Sequence, residues 1–170
     1  MTSSSSPQSS IEPSQTSEAM ISPEAFLRHW QGHRKLTRRV IEAFPEDALF
    51  QFSIGGMRPF GTLALEIIGM AVPSLNGLIT GKWSFSKGPS PETKAGILEL
   101  WDATTGEIDR LWPMIPAHRF LEVDTAFGMW TQPGYELLLY LVDNEIHHRG
   151  QGYVYLRASG ITPPPFYERQ

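Results

Sequence analysis

Four long segments in which apolar residues recur every three or four positions place the strongest constraint on the fold. In the first segment, Trp30 and Val40 belong to one apolar stripe that we predict to lie on a helix over residues 23–43. Apolar residues at this spacing form one face of an amphipathic helix. Ser22 is a suitable N-cap residue, and Pro45 marks the end of the segment.

The other three segments have comparable boundaries. The second is predicted over residues 60–80 and contains Pro73, which predicts a kink because proline removes a backbone hydrogen bond. The third follows the start signal Ser90–Pro91–Glu92 and ends before Pro113. The fourth starts between Thr131 and Pro133 and reaches Ala158, where a glycine and three prolines prevent continuation.

Alternation typical of β-strands is almost missing, and the connections before the third and fourth helices are long. We therefore predict an all-α protein, a four-helix bundle with long crossover connections. Residues 113–131 are expected to hold a short extended piece or an irregular crossover. Residues 1–18 are rich in Ser, Thr, Gln and Pro, which is typical of a disordered tail. Residues 19–170 are then expected to form one helical domain.

Composition and charge exclude several classes of function. The formal net charge is −4, from 14 basic and 18 acidic residues, and no basic tract is present, so we expect no nucleic-acid partner. The chain has no Cys, which excludes disulfides and a thiol nucleophile. We expect no membrane-spanning segment, and the N-terminal sequence lacks the pattern of a signal peptide, so a cytoplasmic protein is predicted.

The fourth predicted helix carries the densest group of candidate site residues. His147 and His148 are adjacent and must point in two directions around the helix. His148 shares its face with apolar residues such as Leu141, so we expect His148 to point inward and His147 to lie on the flank. Gly150 and Gly152 predict a close approach of another helix.

The second predicted helix places one carboxylate, Glu66, inside the otherwise apolar stretch LALEIIGMA. A charged group in such surroundings needs a partner, or its pKa rises until it is neutral. His148 is one candidate partner, and the two side chains would then share a proton, a water or an ion. A structural ion pair with a basic residue such as Arg149 is the alternative.

A second histidine pair lies in the first predicted helix. His29 and His33 have the i,i+4 spacing of metal ligands, but the basic stretch RKLTRR follows them and disfavours a cation. We interpret both as surface or interface histidines. Phosphate-binding glycine loops, nucleophile elbows and HExxH motifs are missing from the sequence.

The block DNEIHHRGQGYVYLRASGITPPPFY resembles the C-terminal signature of the DinB-like (DNA-damage-inducible) family. That signature combines His-x-x-x-His, Arg-Gly-Gln, an aromatic-aliphatic helix and a Pro-rich exit. FGTLALEIIGMA is similar to the second helix of the family, in which a histidine follows a Gly-x-Leu helix start. The resemblance implies a bundle, frequently a homodimer, with a divalent ion, often Zn or Ni, on three histidines. Some members resemble thiol S-transferases that use bacillithiol or mycothiol.

The three ligand positions implied by the resemblance are occupied here by Glu66, Asn144 and His148. Glutamate oxygen and histidine nitrogen are good ligands for Zn²⁺, Mn²⁺ or Fe²⁺, whereas Asn is a poor neutral ligand. The position can hold a divalent ion (Zn, Ni, Mn or Fe) or a metal-free hydrogen-bond network, and we favour the network.

Two functions stay open from the sequence. The first is a stress-linked binding or interaction protein that has lost the usual ion. The second is a metal-dependent transferase or hydrolase that uses Glu66 and His148 around an ion-bound water, with a small-molecule thiol as a possible cosubstrate. In either case we expect a homodimer that buries aromatic residues of the first and fourth helices.

Overall fold

The computed structural model describes residues 20–85 and 88–170, so the predicted tail over residues 1–18 lies outside the described part. The described residues form five α-helices and a two-stranded sheet. The helices are α1 Pro23–Ala43, α2 Glu46–Gln51, α3 Phe60–Thr80, α4 Lys94–Leu111 and α5 Gly134–Ala158. The strands are β1 Val123–Ala126 and β2 Trp130–Pro133, and short 3₁₀ turns lie at Trp112–Met114 and Ala117–Phe120.

The four long helices α1, α3, α4 and α5 pack on one another, which confirms the predicted helical bundle. At the start of α1, the Ser22 hydroxyl accepts a hydrogen bond from the Ala25 amide at 3.2 Å. At the end of α3, Gly81 adopts a left-handed conformation with φ of +70°, which glycine enters without steric cost. Helix α3 continues through Pro73.

Two predicted helix starts are displaced along the chain. Helix α4 begins at Lys94, not at Ser90–Pro91–Glu92, because the Thr93 hydroxyl caps it by accepting from the Gly96 amide at 3.1 Å. Helix α5 begins at Gly134, because the residues before it belong to β2.

The connection between α4 and α5 contains the short extended piece that was one of the two predicted alternatives. Strands β1 and β2 pair in antiparallel register, from Val123 opposite Pro133 to Ala126 opposite Trp130.

Helix α2 was not predicted. Pro45 ends α1 and at the same time caps α2, so a single residue closes one helix and opens the next.

Helix α3 packs against α4 and α5, and α1 contacts the same two helices on the other side of the bundle. By length and composition alone α3 could cross a membrane, contrary to the expectation from the sequence, but half of its most apolar window is buried inside the fold. Near the start of α3, a Cβ atom on Gly152 would lie 2.6 Å from the Phe60 ring, so the predicted close approach is confirmed there. A Cβ atom on Gly150 would meet nothing within 4 Å, so that half of the prediction is wrong.

The aromatic residues of α1 are used within the chain. Trp30 is 2% exposed, and both Phe26 and Trp30 pack against Trp112. Helix α5, in contrast, exposes Tyr135 and Tyr140. Of the aromatic residues expected on the α1 half of a dimer surface, Trp30 is therefore buried in the core and Phe26 is partly buried against it, and the homodimer itself stays a prediction.

Candidate functional site

Helix α5 presents two different polar pairs to its two neighbouring helices. Asn144 and His148 are four residues apart and face α3, where both contact Glu66. Glu145 and Arg149, one position further along, face α1, where both contact Thr37. Residues four apart share a helix face, and a shift of one residue turns the face by about 100°. One helix therefore builds two separate polar clusters.

Glu66, Asn144 and His148 come together in the first cluster, which we call the polar centre together with Arg58. The Glu66 Oε1 atom lies 3.0 Å from His148 Nε2 and 3.4 Å from Asn144 Nδ2. Asn144 Nδ2 lies 3.2 Å from His148 Nε2. The three positions singled out in the sequence thus converge on one carboxylate oxygen.

Arg58 completes the polar centre and was not anticipated from the sequence. Its guanidinium donates to Glu66 Oε2 at 2.5 Å, and the Tyr155 hydroxyl fixes the loop by donating to the Arg58 carbonyl at 3.1 Å. Arg58 lies just before Pro59 at the start of α3, outside the helix that the spacing of apolar residues predicts. The sequence did offer one signal for this ion pair. Arg58 is a basic residue two positions before α3, and α3 contains a single acidic residue.

The ionisation of Glu66 follows from these contacts. Burial alone would raise the pKa of the Glu66 carboxyl, but hydrogen bonds and attraction from His148 and Arg58 outweigh it and leave the pKa below its usual value. The Glu66 side chain is 30% exposed, and its partners Arg58 and His148 meet the need for a partner that its apolar neighbours in the sequence indicate. At neutral pH the polar centre therefore presents an ionised carboxylate to solvent.

Both ring nitrogens of His148 are engaged within the protein. Nε2 lies against Glu66, and Nδ1 lies 3.3 Å from the side-chain amide of Gln151. The Glu66 carboxylate can only accept, so Nε2–H donates to it, while Nδ1 lies within reach of the Gln151 amide. His148 is 5% exposed, whereas His147 is exposed on the flank and contacts Gln151. His148 thus positions the carboxylate and is not free to accept a proton from a ligand.

The donor set does not fit a stable divalent-metal centre. Glu66 and His148 are ordinary ligands, but the third group is the neutral amide of Asn144. The Arg58 guanidinium already occupies the second carboxylate oxygen, so Glu66 cannot coordinate an ion through both oxygens. Over residues 20–85 and 88–170, no group of three or more His, Asp or Glu side chains could hold a metal ion.

The second cluster is buried between α1 and α5, and we call it the buried network. The Thr37 hydroxyl donates to Glu145 Oε1 at 2.6 Å and accepts from Arg149 Nη1 at 3.0 Å. Glu145 is 0% exposed and Arg149 is 6% exposed. Arg149 is therefore the partner of Glu145, and the suggested ion pair between Arg149 and Glu66 does not exist.

His33 belongs to the buried network, which corrects its assignment as a surface or interface histidine. Its Nδ1 lies 2.9 Å from Arg149 Nη2, and its Nε2 lies 2.9 Å from Arg169 Nη1 and 3.1 Å from His29 Nε2. Burial, together with the positive charges of Arg149, His29 and Arg169, lowers the pKa of His33 to about 3. Two guanidinium groups at the same ring also disfavour a cation at the His29–His33 pair.

Comparison with known protein families gives one match. The model of the DinB family matches residues 89–170, which include β1, β2, α4 and α5. Two curated Bacillus subtilis (strain 168) proteins are similar in sequence over most of their length. The uncharacterized protein YrdA is 23% identical over 144 residues, covering 84% of this chain and 86% of YrdA. The uncharacterized protein YjoA is 23% identical over 154 residues, covering 89% of this chain and 99% of YjoA.

Two solved structures share the fold. A DinB-like protein from Bacillus cereus ATCC 10987 superposes with a TM-score of 0.69 at 22% identity, covering 85% of this chain and 97% of that one. The DinB-like protein YjoA from Bacillus subtilis superposes with a TM-score of 0.70 at 22% identity, covering 85% and 98%. At this identity the superpositions establish the arrangement of the helices, including α3, which the family match does not reach.

Proposed function

From the premise that this chain is a DinB-like protein, we propose that it binds a small organic ligand at the polar centre without a resident metal ion. The observation that carries the proposal is the convergence of Glu66, Asn144 and His148 on one solvent-accessible carboxylate, with Arg58 on its far oxygen. A few convergent polar side chains beside an apolar pocket are typical of a ligand-binding site.

The exposed part of the polar centre determines what a ligand would contact. The Glu66 side chain is 30% exposed and the Arg58 side chain 51% exposed, whereas the His148 side chain is only 7% exposed. An ionised carboxylate is an acceptor only, and Asn144 adds an amide that is half-buried beside it. A ligand group that donates hydrogen bonds therefore fits this position.

Binding is favoured over catalysis because His148 has no free ring nitrogen. A general base must reach the proton that it abstracts through an available acceptor atom. In this fold Nδ1 lies 3.3 Å from the Gln151 amide nitrogen and Nε2 donates to Glu66. The imidazole holds the carboxylate in place, and the carboxylate is the group that a ligand would meet.

Metal analysis of the purified protein tests the proposal directly. Protein made without a polyhistidine tag should contain no stoichiometric Zn, Ni, Mn or Fe, and neither EDTA nor added Zn²⁺, Ni²⁺ or Mn²⁺ should move its melting temperature. An ion at 100 times its Kd would stabilise the fold by about 2.7 kcal/mol, which is easily measured. Stabilisation of the wild type by an ion, lost in Glu66→Gln, would overturn the metal-free centre in favour of a metal-dependent transferase or hydrolase.

The same variant measures how much the polar centre stabilises the fold. We expect Glu66→Gln to cost about 1 kcal/mol, because it weakens two charge-assisted hydrogen bonds at a partly exposed position. Glu99→Gln, at an exposed position on α4, is the matched control and should cost less. A cost above about 3 kcal/mol for Glu66→Gln would show that the polar centre is a structural element of the core and not an accessible binding site.

A further inference from the structure

We call the surface between α3 and α5 that carries the polar centre the groove. An apolar pocket adjoins it one helical turn from Glu66 and Asn144. Met70 follows Glu66 by one helical turn on α3, and Tyr140 precedes Asn144 by one turn on the antiparallel α5. The pocket therefore begins about 5.4 Å from the polar centre. Its volume is about 60 Å³, and its apolar lining consists of Met70, Phe85, Phe127, Trp130, Leu137 and Tyr140.

The aromatic lining is held in an arrangement that leaves ring surface exposed. Phe85 stacks on Phe127 with ring centroids 4.0 Å apart, and Trp130 meets Phe127 edge-on at 6.2 Å. Phe85, Trp130 and Tyr140 are 58%, 44% and 48% exposed. Clustered, exposed aromatic side chains beside a pocket mark a surface that binds another molecule.

The backbone at Phe127 is strained. Its φ is +55°, and the following Gly128 has φ of +70°, within a turn closed by the Met129 amide donating to the Ala126 carbonyl. A turn of this kind suits glycine or asparagine at both central positions, and a bulky residue there costs on the order of 1 kcal/mol. In this conformation the Phe127 ring lies against Phe85 and lines the pocket.

The order of groups along the groove indicates the charge of the ligand. Arg58 lies at the end of α3 away from Met70, because Tyr155, far along α5, binds its carbonyl. A molecule that extends out of the pocket meets Glu66 and Asn144 before it reaches Arg58. Among the residues that the structure describes, no charged side chain lines the pocket, whose polar members are Ser74 and Gln132. A positive end therefore belongs at Glu66, and an uncharged end belongs in the pocket.

We propose that the ligand is a primary alkylamine-like molecule, whose ammonium group binds Glu66 and Asn144 and whose aliphatic end enters the pocket between Met70 and Tyr140. This inference rests on the proposed function, since it names the ligand class of the same polar centre. The pocket volume of about 60 Å³ is less than half of the roughly 150 Å³ cavity that admits benzene, so a short aliphatic end fits better than a ring.

Titration with simple alkyl compounds followed by two-dimensional amide NMR tests the inference on the full chain. Hexylamine should bind about tenfold more tightly than ethylamine, because it buries about two more methylene groups in the pocket. At neutral pH hexylamine should also bind more tightly than hexan-1-ol and hexanoate, and Glu66→Gln should abolish its advantage over hexan-1-ol.

A matched pair of tyrosine variants locates the aliphatic end. Tyr140→Ala removes one side of the pocket and should weaken hexylamine binding about fivefold. Tyr135→Ala removes a similarly exposed ring from the same helix, outside the pocket lining, and should leave the affinity unchanged. Both side chains are about half exposed, so both variants should fold.

The outcomes separate the inference from the proposed function. A preference for amines over alcohols without dependence on chain length overturns the pocket assignment and leaves ligand binding at Glu66 supported. Dependence on chain length with no preference for the amine, unchanged by Glu66→Gln, overturns the polar centre as the binding group. Tighter binding of hexanoate than of hexylamine overturns the assignment of a cationic ligand.

Discussion

The polar centre and the buried network use the same chemistry on two neighbouring faces of α5 but differ in their access to water. Each combines a glutamate, a histidine and an arginine. In the buried network Glu145 is 0% exposed, whereas the Glu66 side chain in the polar centre is 30% exposed. Glu145 and His148 lie three residues apart on one helix, so the contrast comes from which neighbour covers each face. Helix α1 closes over one face, and the groove beside α3 leaves the other accessible.

The two carboxyl groups respond in opposite ways to these surroundings. Burial raises the pKa of Glu145, although Arg34, the Thr37 hydroxyl and Arg149 act against it. Contacts with His148 and Arg58 lower the pKa of Glu66 despite its partial burial. Glu145, on the α1 side, is thus a buried carboxyl group whose charged form is disfavoured by burial. Glu66, on the α3 side, is an ionised acceptor that solvent can reach.

Removal of an arginine from each cluster should give the largest contrast. Arg149→Met removes the buried cation that donates to Thr37 and forms a 3.8 Å ion pair with Glu145, so we expect a loss of about 3–5 kcal/mol in the free energy of unfolding. Arg58→Met breaks an ion pair whose arginine side chain is 51% exposed and should cost no more than about 1 kcal/mol. Urea denaturation of the two variants measures both values.

The double variant Glu145→Met with Arg149→Met sharpens this prediction. Replacing a buried ion pair by apolar residues of similar volume is often neutral, whereas breaking it is costly. The double variant should therefore be more stable than Arg149→Met alone. Equal stability of the double and single variants would mean that the cost arises from lost packing and not from the unpaired carboxyl group.

Acid should affect the buried network through His33. Its pKa is about 3 in the folded chain against an ordinary value of 6.5, so between pH 6.5 and 3 the unfolded chain binds more protons. The stabilisation is fully present above pH 6.5 and is lost as the pH falls toward 3, by up to about 1.4 kcal/mol per pH unit. Unfolding free energies measured across this range should fall less steeply for His33→Gln. Identical slopes for the wild type and His33→Gln would contradict the lowered pKa of His33 in the folded chain.

The helical framework could be predicted because local sequence determines it. Ser22 caps α1, Pro45 ends it and Gly81 ends α3, and each acts on the residues next to it. Helix α2 escaped prediction because six residues are too few for a periodic pattern. The start of α4 was misplaced because Ser90 and Thr93 are both suitable caps, and only the folded chain shows that the Thr93 hydroxyl is used.

The site was predicted where it depends on one helix and missed where it depends on contacts between elements. The spacing within α5 placed His148 on an inward face, and Glu66 stood out against its apolar neighbours. Arg58 was missed because it reaches Glu66 from a loop. The buried network offered a local signal, since Glu145 and Arg149 are four residues apart and share a face with Leu138 and Leu156. That the network lies against Thr37 depends on the position of α1, which no short segment encodes.

The two glycines of α5 test how closely α3 and α5 approach each other, and their effects should be smaller than that of Arg149→Met. Gly152 faces α3, and a Cβ atom there would lie 2.6 Å from the buried Phe60 ring. Gly152→Ala should therefore cost about 1–3 kcal/mol, because neither the ring nor the helix can shift freely. Gly150 has open space around it, so Gly150→Ala should stabilise the fold by up to about 1 kcal/mol through the higher helix propensity of alanine.

Thermal or urea unfolding of the two glycine variants, made in parallel, provides the measurement. Helix propensity favours alanine at both positions by a similar amount, so the difference between the variants isolates the contact with Phe60. If Gly152→Ala were as stable as Gly150→Ala, α3 and α5 would be further apart than the structure shows. The 3.0 Å contact between Glu66 and His148, two helical turns from Phe60 on α3, would then lose its support as well. The two glycine variants therefore test the distance between α3 and α5 on which the geometry of the polar centre depends.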